Sequence, residues 1–404
     1  MLGNITLSIT RLDSIIFPFL ALLDHRKINI KNYRIYFVLY ILMFVVSLFS
    51  SIASEYHFSV YGGYLLDDFM QTIGLLYLFI WSSQHKNFDM KIVFKSIIIV
   101  SCIIYIFGII EYVTQQNIYK ILGIDNLLND YYFGNQYRDN IYRISSIFPD
   151  TLQFGYYLAL MFPVFWMVIQ SFHKGIYRNL ALFCFVLSIP LIYFTNSRTP
   201  VFMLMISIAL WVGYTKLWKT LFRSKREQYF FFISICCFSA ISIFYIEDMI
   251  NFISTTILGI EIHNVGGDGS FNVRASELDI IYSNVEKGHI FLGLGRINTF
   301  DIIKTTQLDA LDSMWIRLFL ESGILSPILF LILLITPLVR SIRSIVNSKS
   351  KAPVNIYLLM SFITFIIMTT FSSNHEMRII FYTLLIIQMS LIKTEWPIWS
   401  GNIK

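Results

Sequence analysis

Residues 92–113 read IVFKSIIIVSCIIYIFGIIEYV. Lys95 and Glu111 are the only charges, and each lies near an end. A helix needs about twenty mostly apolar residues to cross a bilayer, so this run is read as a membrane span. The same pattern recurs along the chain, at Tyr33–Ser54, Tyr64–Ser82, Thr151–Ser171, Asn179–Thr195, Pro200–Lys216, Tyr229–Glu247, Ser313–Leu338, Asn355–Ser373 and Met377–Ile392. Leu12–Leu23 is shorter and either crosses or lies in the interface.

Composition agrees with the runs. Of 404 residues, 56% are hydrophobic, 17% aromatic and only 14% charged. A soluble domain of this size needs more surface charge. The expected fold is therefore an all-α integral membrane protein: a single polytopic domain over 1–404, with about 10–12 transmembrane helices. Net charge is +6, a value that does not point to nucleic acid. Cys102, Cys184, Cys236 and Cys237 all lie inside apolar runs and read as small buried side chains rather than disulfide partners. Arg11 and Asp13 interrupt the first apolar stretch, so it does not read as a cleavable signal, and no lipidation motif is seen.

Lys and Arg set the orientation. One set of connections carries 20 of them and the other 9, although the second set is much longer. The first set is expected inside. This places Thr114–Pro149 (114–149) as a shorter outer loop and Asp248–Asp312 (248–312) as a large outer loop. The large loop is the longest polar passage in the chain. Ala275, Leu278, Ile281, Tyr282 and Val285 recur there at helical spacing and predict an amphipathic helix on the membrane surface.

Candidate chemistry clusters where the outer connections meet the spans. Arg198 lies in Asn196-Ser197-Arg198-Thr199-Pro200, and Thr199-Pro200 is read as a cap followed by a first helical residue. A helix N-terminus beside a guanidinium suits a phosphate, while the plain alternative is an Arg snorkelling to lipid headgroups. Arg143 precedes a span and Arg274 opens the surface helix. Three arginines on one face suit a pyrophosphate better than any one of them. Arg296 follows Gly293-Leu294-Gly295, a turn whose backbone N–H groups could face an anion. Asp312 reads either as an N-cap or as a carboxylate that orients or deprotonates a hydroxyl. Glu321 is placed inside the next span, with Arg317 or an outer arginine as its partner. Asp67, Asp68 and Glu111 are read as structural ion-pair partners of the same arginines. His263 and His289 are isolated, so no metal site and no cofactor are expected.

These residues resemble a known family. Asn196-Ser197-Arg198-Thr199 resembles the Ser-Arg turn of O-antigen polymerases and ligases. Arg274 with Ile290-Phe291-Leu292-Gly293-Leu294-Gly295 resembles their large periplasmic loop. The run from Asp312 to Gly323 resembles the start of the span that follows, and Arg143 to Gly155 resembles the entry segment of the earlier loop. Ligases typically carry His-Asn where this chain has Asp312-Ser313, a departure that favours a Wzy-type polysaccharide polymerase.

The resemblance implies transfer of a glycan from undecaprenyl pyrophosphate onto another lipid-linked repeat unit, at the outer face of a bacterial plasma membrane. It implies undecaprenyl-pyrophosphate-linked oligosaccharides and membrane lipids as partners, with a chain-length regulator and a flippase as further ones. Arg198, Arg274 and Asp312 are the expected catalytic residues, and Arg143, Arg296 and Glu321 the expected substrate-binding ones. The alternatives are an O-antigen-type ligase, a flippase or transporter of lipid-linked sugars, and a non-enzymatic assembly partner. A transporter would be expected to show repeats and mid-membrane charges, whereas the sequence shows no repeat and its candidate functional charges cluster outside.

The orientation is testable by labelling. Gly269→Cys is expected to react with an impermeant thiol reagent on intact cells, and Ser224→Cys only after permeabilisation. The reverse pattern would invert the topology.

Overall fold

The computed structural model describes residues 31, 33–53, 58–84, 89–123, 137–138, 141–172, 175–212, 280, 283, 289–305, 313–347, 352–371 and 378–393. The runs Leu12–Leu23 and Tyr229–Glu247 lie outside them.

In chain order the described elements are α1 (Arg34–Ala53), α2 (Phe58–Phe69), a π-helical turn (Met70–Gly74), α3 (Leu75–Ser83), α4 (Met90–Thr114), α5 (Ile118–Ile121), β1 (Tyr137–Arg138), β2 (Ile141–Tyr142), α6 (Thr151–Ser171), α7 (Ile176–Phe194), α8 (Arg198–Val212), α9 (Arg296–Thr305), α10 (Met314–Ser322), α11 (Leu325–Asn347), α12 (Ala352–Phe371) and α13 (Arg378–Lys393). The strands form one short antiparallel hairpin, Tyr137 opposite Tyr142 and Arg138 opposite Ile141.

Among the described residues, five helices are long and apolar enough to cross a membrane: Arg34–Ala53, Met90–Thr114, Thr151–Gln170, Ile176–Phe194 and Leu325–Val346. Arg198–Trp211, Val354–Thr370 and Ile380–Met389 are apolar but shorter. The protein is thus a largely helical membrane protein. Large aliphatic side chains face outward along these helices, among them Val38 and Ile41 of α1 and Ile99 and Ile103 of α4. A lipid-facing surface accounts for them, since water would penalise so much apolar area.

Two expected spans take a different form. Tyr64–Ser82 belongs to a helical stretch from Phe58 to Ser83 that widens into the π turn at Met70–Gly74. Ser313–Leu338 is not one helix. It breaks at Gly323 (φ +71°), leaving the short helix α10 before the long apolar α11. Arg317 and Glu321 sit on α10, an amphipathic segment that holds this pair apart from the apolar run 325–339 of α11.

The helices group into two compact units. The first takes in 1–88, 264–337 and 369–390, and the second 89–263, 338–368 and 391–404.

In the second unit α6 is the central helix, with 83% of its apolar window buried. It is apolar all round, which is the pattern of a helix surrounded by others. It packs against α7 and α8, and α7 packs against α4. Hydrogen bonds join the helices where apolar packing alone would not fix their register. Ser101 and Tyr157 share one at 2.8 Å, and Tyr105 and Ser188 another at 2.7 Å. Such bonds contribute about 0.6–1.7 kcal/mol each in membrane bundles. The thiols of Cys102 and Cys184 are buried and free, with their sulfurs 3.4 Å apart. Gly108 of α4 lets the Phe154 ring of α6 come within 3.0 Å of where a Cβ would stand.

In the first unit α10 packs on α1 and α9, and the turn before α9 docks on the end of α10. Leu294 N–H donates to Leu320 O at 2.7 Å, Gly295 N–H to Glu321 O at 3.1 Å and Ile324 N–H to Ile290 O at 2.8 Å. Ser50 Oγ also donates to Glu321 O, at 2.6 Å. The last carbonyls of a helix lack intrahelical donors, and here the glycine turn and α1 supply them. The approach needs glycine on both sides. A Cβ on Gly293 would lie 2.6 Å from Gly323 N and Leu320 O, and one on Gly323 would lie 2.1 Å from Phe291 O.

Gly293→Ala is therefore expected to destabilise the protein by about 2–4 kcal/mol, from backbone strain plus a clash with main chain that cannot yield. Gly63→Ala, in a helix with nothing within 4 Å, is expected to be neutral or stabilising. Thermal unfolding midpoints in detergent compare the two.

Candidate functional site

The second unit brings two expected arginines to one turn. α7 ends at Phe194, and Asn196 takes a left-handed conformation (φ +46°) that closes the helix. α8 then starts at Arg198, so Ser197 precedes the helix and Pro200 lies inside its first turn. This corrects the expected Thr199 cap with Pro200 at the first helical position. The proline serves packing as well: it is buried, and a Cβ on Gly155 of α6 would lie 2.6 Å from its Cγ and 3.2 Å from Thr195 Oγ1.

Arg143 reaches this turn from the segment before α6. Its Nε donates to Thr195 O at 2.9 Å and its Nη2 to Ser197 Oγ at 2.8 Å. A cation at the C-terminal carbonyls of α7 is favourable, because those groups carry the negative end of the helix dipole. Ile144 N–H adds a bond to Phe194 O at 3.3 Å. Arg143 thus builds the turn with at least two of its five N–H donors. Arg198 differs. Its side chain is exposed and bonds to none of the described residues. One guanidinium fixes the turn while the next residue along presents another.

The loop that carries Arg143 is held by a carboxylate that the charge pattern misassigned. Glu111 was expected to pair with an arginine. Instead, buried at the end of α4, it accepts from the backbone of the loop after β2. Ser145 N–H donates to Oε2 at 3.0 Å, and Ser146 N–H donates to the same oxygen. Tyr142 Oη donates to Oε1 at 3.1 Å, with Ser145 Oγ at 3.3 Å and Asn117 Nδ2 at 3.5 Å. Ser146 sits at φ +55° and anchors its own Oγ to Ile104 O at 2.7 Å. A non-glycine residue holds such a conformation only when its surroundings fix it. Burial, and after it the charge of Glu111, push the Tyr142 phenol up, so it remains a donor.

Asp150 completes the segment as N-cap of α6, with Oδ1 accepting from Leu152 N–H at 2.5 Å. Burial pushes its carboxyl above the usual value, against the pull of Leu152 N–H, Arg143 and Gln153 N–H. The sequence analysis gave Asp150 no role, although an Asp before Thr151 and an apolar run is an N-cap signal.

The first unit holds Arg296 and Glu321, and both have partners. Arg296 Nη1 lies 2.5 Å from Asp68 Oδ2, with side chains 15% and 27% exposed. An arginine at the first residue of α9 opposes the helix dipole, and Asp68 offsets it. The Gly293–Gly295 turn was read as an anion cradle. The structure corrects this: Leu294 and Gly295 N–H donate to the end of α10. Glu321 pairs with Arg317 at 2.8 Å as expected, but on α10 rather than inside a span.

Arg274 and Asp312 lie outside the described residues. Ser313, next to Asp312, occupies the N-cap position of α10. Of the predicted surface helix, Ile280 and Ser283 are described as helical. Ile280 is buried with Leu320 and touched by Leu294, Ile316 and Phe319. That contact falls on a residue outside the apolar set read from the spacing. Among the described residues no three His, Cys, Asp or Glu side chains gather as a metal site would need.

Comparison with protein-family models, with curated proteins and with solved structures finds no match.

Glu111→Gln is expected to loosen the loop, because an amide whose oxygen accepts from the Ser145 and Ser146 N–H groups turns its NH2 towards Tyr142 Oη and Asn117 Nδ2, which donate to the other oxygen. A buried donor left unmatched costs about 1–3 kcal/mol. Hydrogen exchange at those two amides should quicken by roughly tenfold or more, with helix content unchanged.

Proposed function

We propose that the protein is a membrane glycan polymerase, moving a growing chain from undecaprenyl pyrophosphate onto a hydroxyl of another lipid-linked repeat unit. The carrying observation is the Arg143–Arg198 turn. Arg143 locks the turn through Thr195 and Ser197, and Arg198 stands exposed at the first residue of α8. A guanidinium carried on a fixed turn at a helix N-terminus matches the developing charge on a pyrophosphate leaving group. The family resemblance of the Ser-Arg turn, and Asp312 in place of the ligase histidine, support polymerisation over ligation.

In this reading the chain crosses a bacterial plasma membrane with about ten spans, and the Arg198 turn and the 248–312 loop face outward. Both lipid carriers arrive by lateral diffusion, so a site at the membrane surface serves both. Arg198 binds the pyrophosphate and stabilises it as it leaves. Arg143 supplies positive charge while holding the turn. Arg296 and Glu321, held by Asp68 and Arg317, act through packing rather than by touching substrate.

Arg198→Lys tests the planar clamp. Because its guanidinium bonds to none of the described residues, the variant is expected at normal membrane levels. Lysine keeps the charge but loses the bidentate fork. The loss in turnover of lipid-linked repeat units, extracted from a strain lacking this protein, is expected to be roughly 30- to 1000-fold. A headgroup snorkel would tolerate the change with near-normal polymer.

A further inference from the structure

We propose that the first turn of α6 is the acceptor subsite, where Asp150 takes the proton from the attacking sugar hydroxyl while Thr151 and Gln153 hold neighbouring hydroxyls. The assignment rests on the polymerase reading and adds residues to it.

The first support is placement. Asp150 closes the segment that Arg143 opens, and Arg143 ties that segment to the arginine turn. One turn into α6, Gly155 meets the same turn at Pro200 and Thr195. The start of α6 and the start of α8 are thus held side by side by contacts on both flanks of Asp150.

The second support is an unfilled demand for hydrogen bonds. Thr151 is 2% exposed, and its Oγ1 has no partner among the described residues. The buried Gln153 Oε1 has none either. Leaving such groups unpaired costs about 1–3 kcal/mol each, so a fold that keeps two in one turn implies an occupant that satisfies them. A sugar fits, because its hydroxyls both donate and accept.

The third support is the state of the carboxyl. Oδ1 is engaged by the helix cap, and burial raises its affinity for a proton. A base closer to neutrality than an ordinary carboxylate is better matched to proton transfer. Arg143 is the charged group that acts on it. The elements around this segment also carry Arg198 on the facing turn, Glu111, Tyr105 and Tyr112 of α4, Tyr142 of β2, Tyr156 and Tyr157 of α6 and Tyr193 of α7, and Glu111 is engaged by the loop.

The step balances. The acceptor oxygen forms a bond to the donor's anomeric carbon, and its proton passes to Asp150. The bond from that carbon to the pyrophosphate oxygen breaks, and undecaprenyl pyrophosphate leaves with the electron pair. The next exchange with water returns Asp150 to its ionised form.

Asp150→Asn separates the proton role from the cap, because asparagine caps as well as aspartate. On repeat units extracted from a strain lacking the protein, turnover is expected to fall by about 10²- to 10⁴-fold. Binding of undecaprenyl pyrophosphate should stay unchanged. The wild-type rate should fall as pH is lowered through a carboxyl above its ordinary range, and the variant should lack that limb. Thr151→Val is the second arm. Removing an unpaired buried hydroxyl should leave stability equal or higher, yet raise KM for the acceptor by roughly tenfold. Near-normal turnover in Asp150→Asn with an unchanged pH profile overturns the base. An unchanged KM in Thr151→Val overturns the subsite, and this arm still decides if the asparagine variant fails to accumulate. Wild-type protein that makes no polymer from these lipids would refute the polymerase reading itself.

Discussion

A carboxylate at the buried end of a membrane helix must be met by donors, and the second unit is arranged around how Glu111 is met. Among the described residues no lysine or arginine pairs with it. Two backbone N–H groups, two hydroxyls and an amide converge on it instead. A buried charge left without donors costs several kcal/mol, so the loop after β2 folds to serve it. That loop fixes the residue before Ile144, which is Arg143. Arg143 fixes the turn between α7 and α8, and the turn fixes Arg198. The chain of dependence runs from one acid through polar contacts to an exposed guanidinium.

The two guanidiniums at that turn divide the work between building and presenting. A helix C-terminus wants a cation, and Arg143 supplies it to α7. A helix N-terminus attracts an anion, and Arg198 stands there at the start of α8. One short connection therefore satisfies the end of one helix and leaves a cationic surface at the beginning of the next. Asn196 and Gly155 make this possible, the first by closing α7 in the left-handed region and the second by admitting Pro200.

The first unit uses glycine for a different purpose. Gly293 and Gly323 bring two stretches of backbone so close that a side chain on either would collide with main chain. The gain is a set of donors for the last carbonyls of α10, which otherwise face an apolar setting unpaired. The charges Arg296, Asp68, Arg317 and Glu321 are consumed locally as pairs. Among the described residues, these charges serve the fold, whereas at the Arg198 turn charge is left open.

The sequence by itself determined that this is a helical membrane protein, because run length and apolar content reflect the thickness and polarity of a bilayer. It also located α4, α6 and α7 within a few residues, as in Thr151–Ser171, and it singled out Arg143 and Arg198. The tertiary structure decided their roles. Run length could not show that Ser313–Leu338 breaks at Gly323, because the break answers to backbone from Ile290 and Phe291, remote in sequence. Charge pattern suggested that Glu111 would seek an arginine, because opposite charges are visible in a sequence and backbone N–H groups are not. The same limit hid the difference between Arg143 and Arg198. Both are arginines beside a span, and only the position of Thr195 O and Ser197 Oγ makes one a builder and leaves the other exposed.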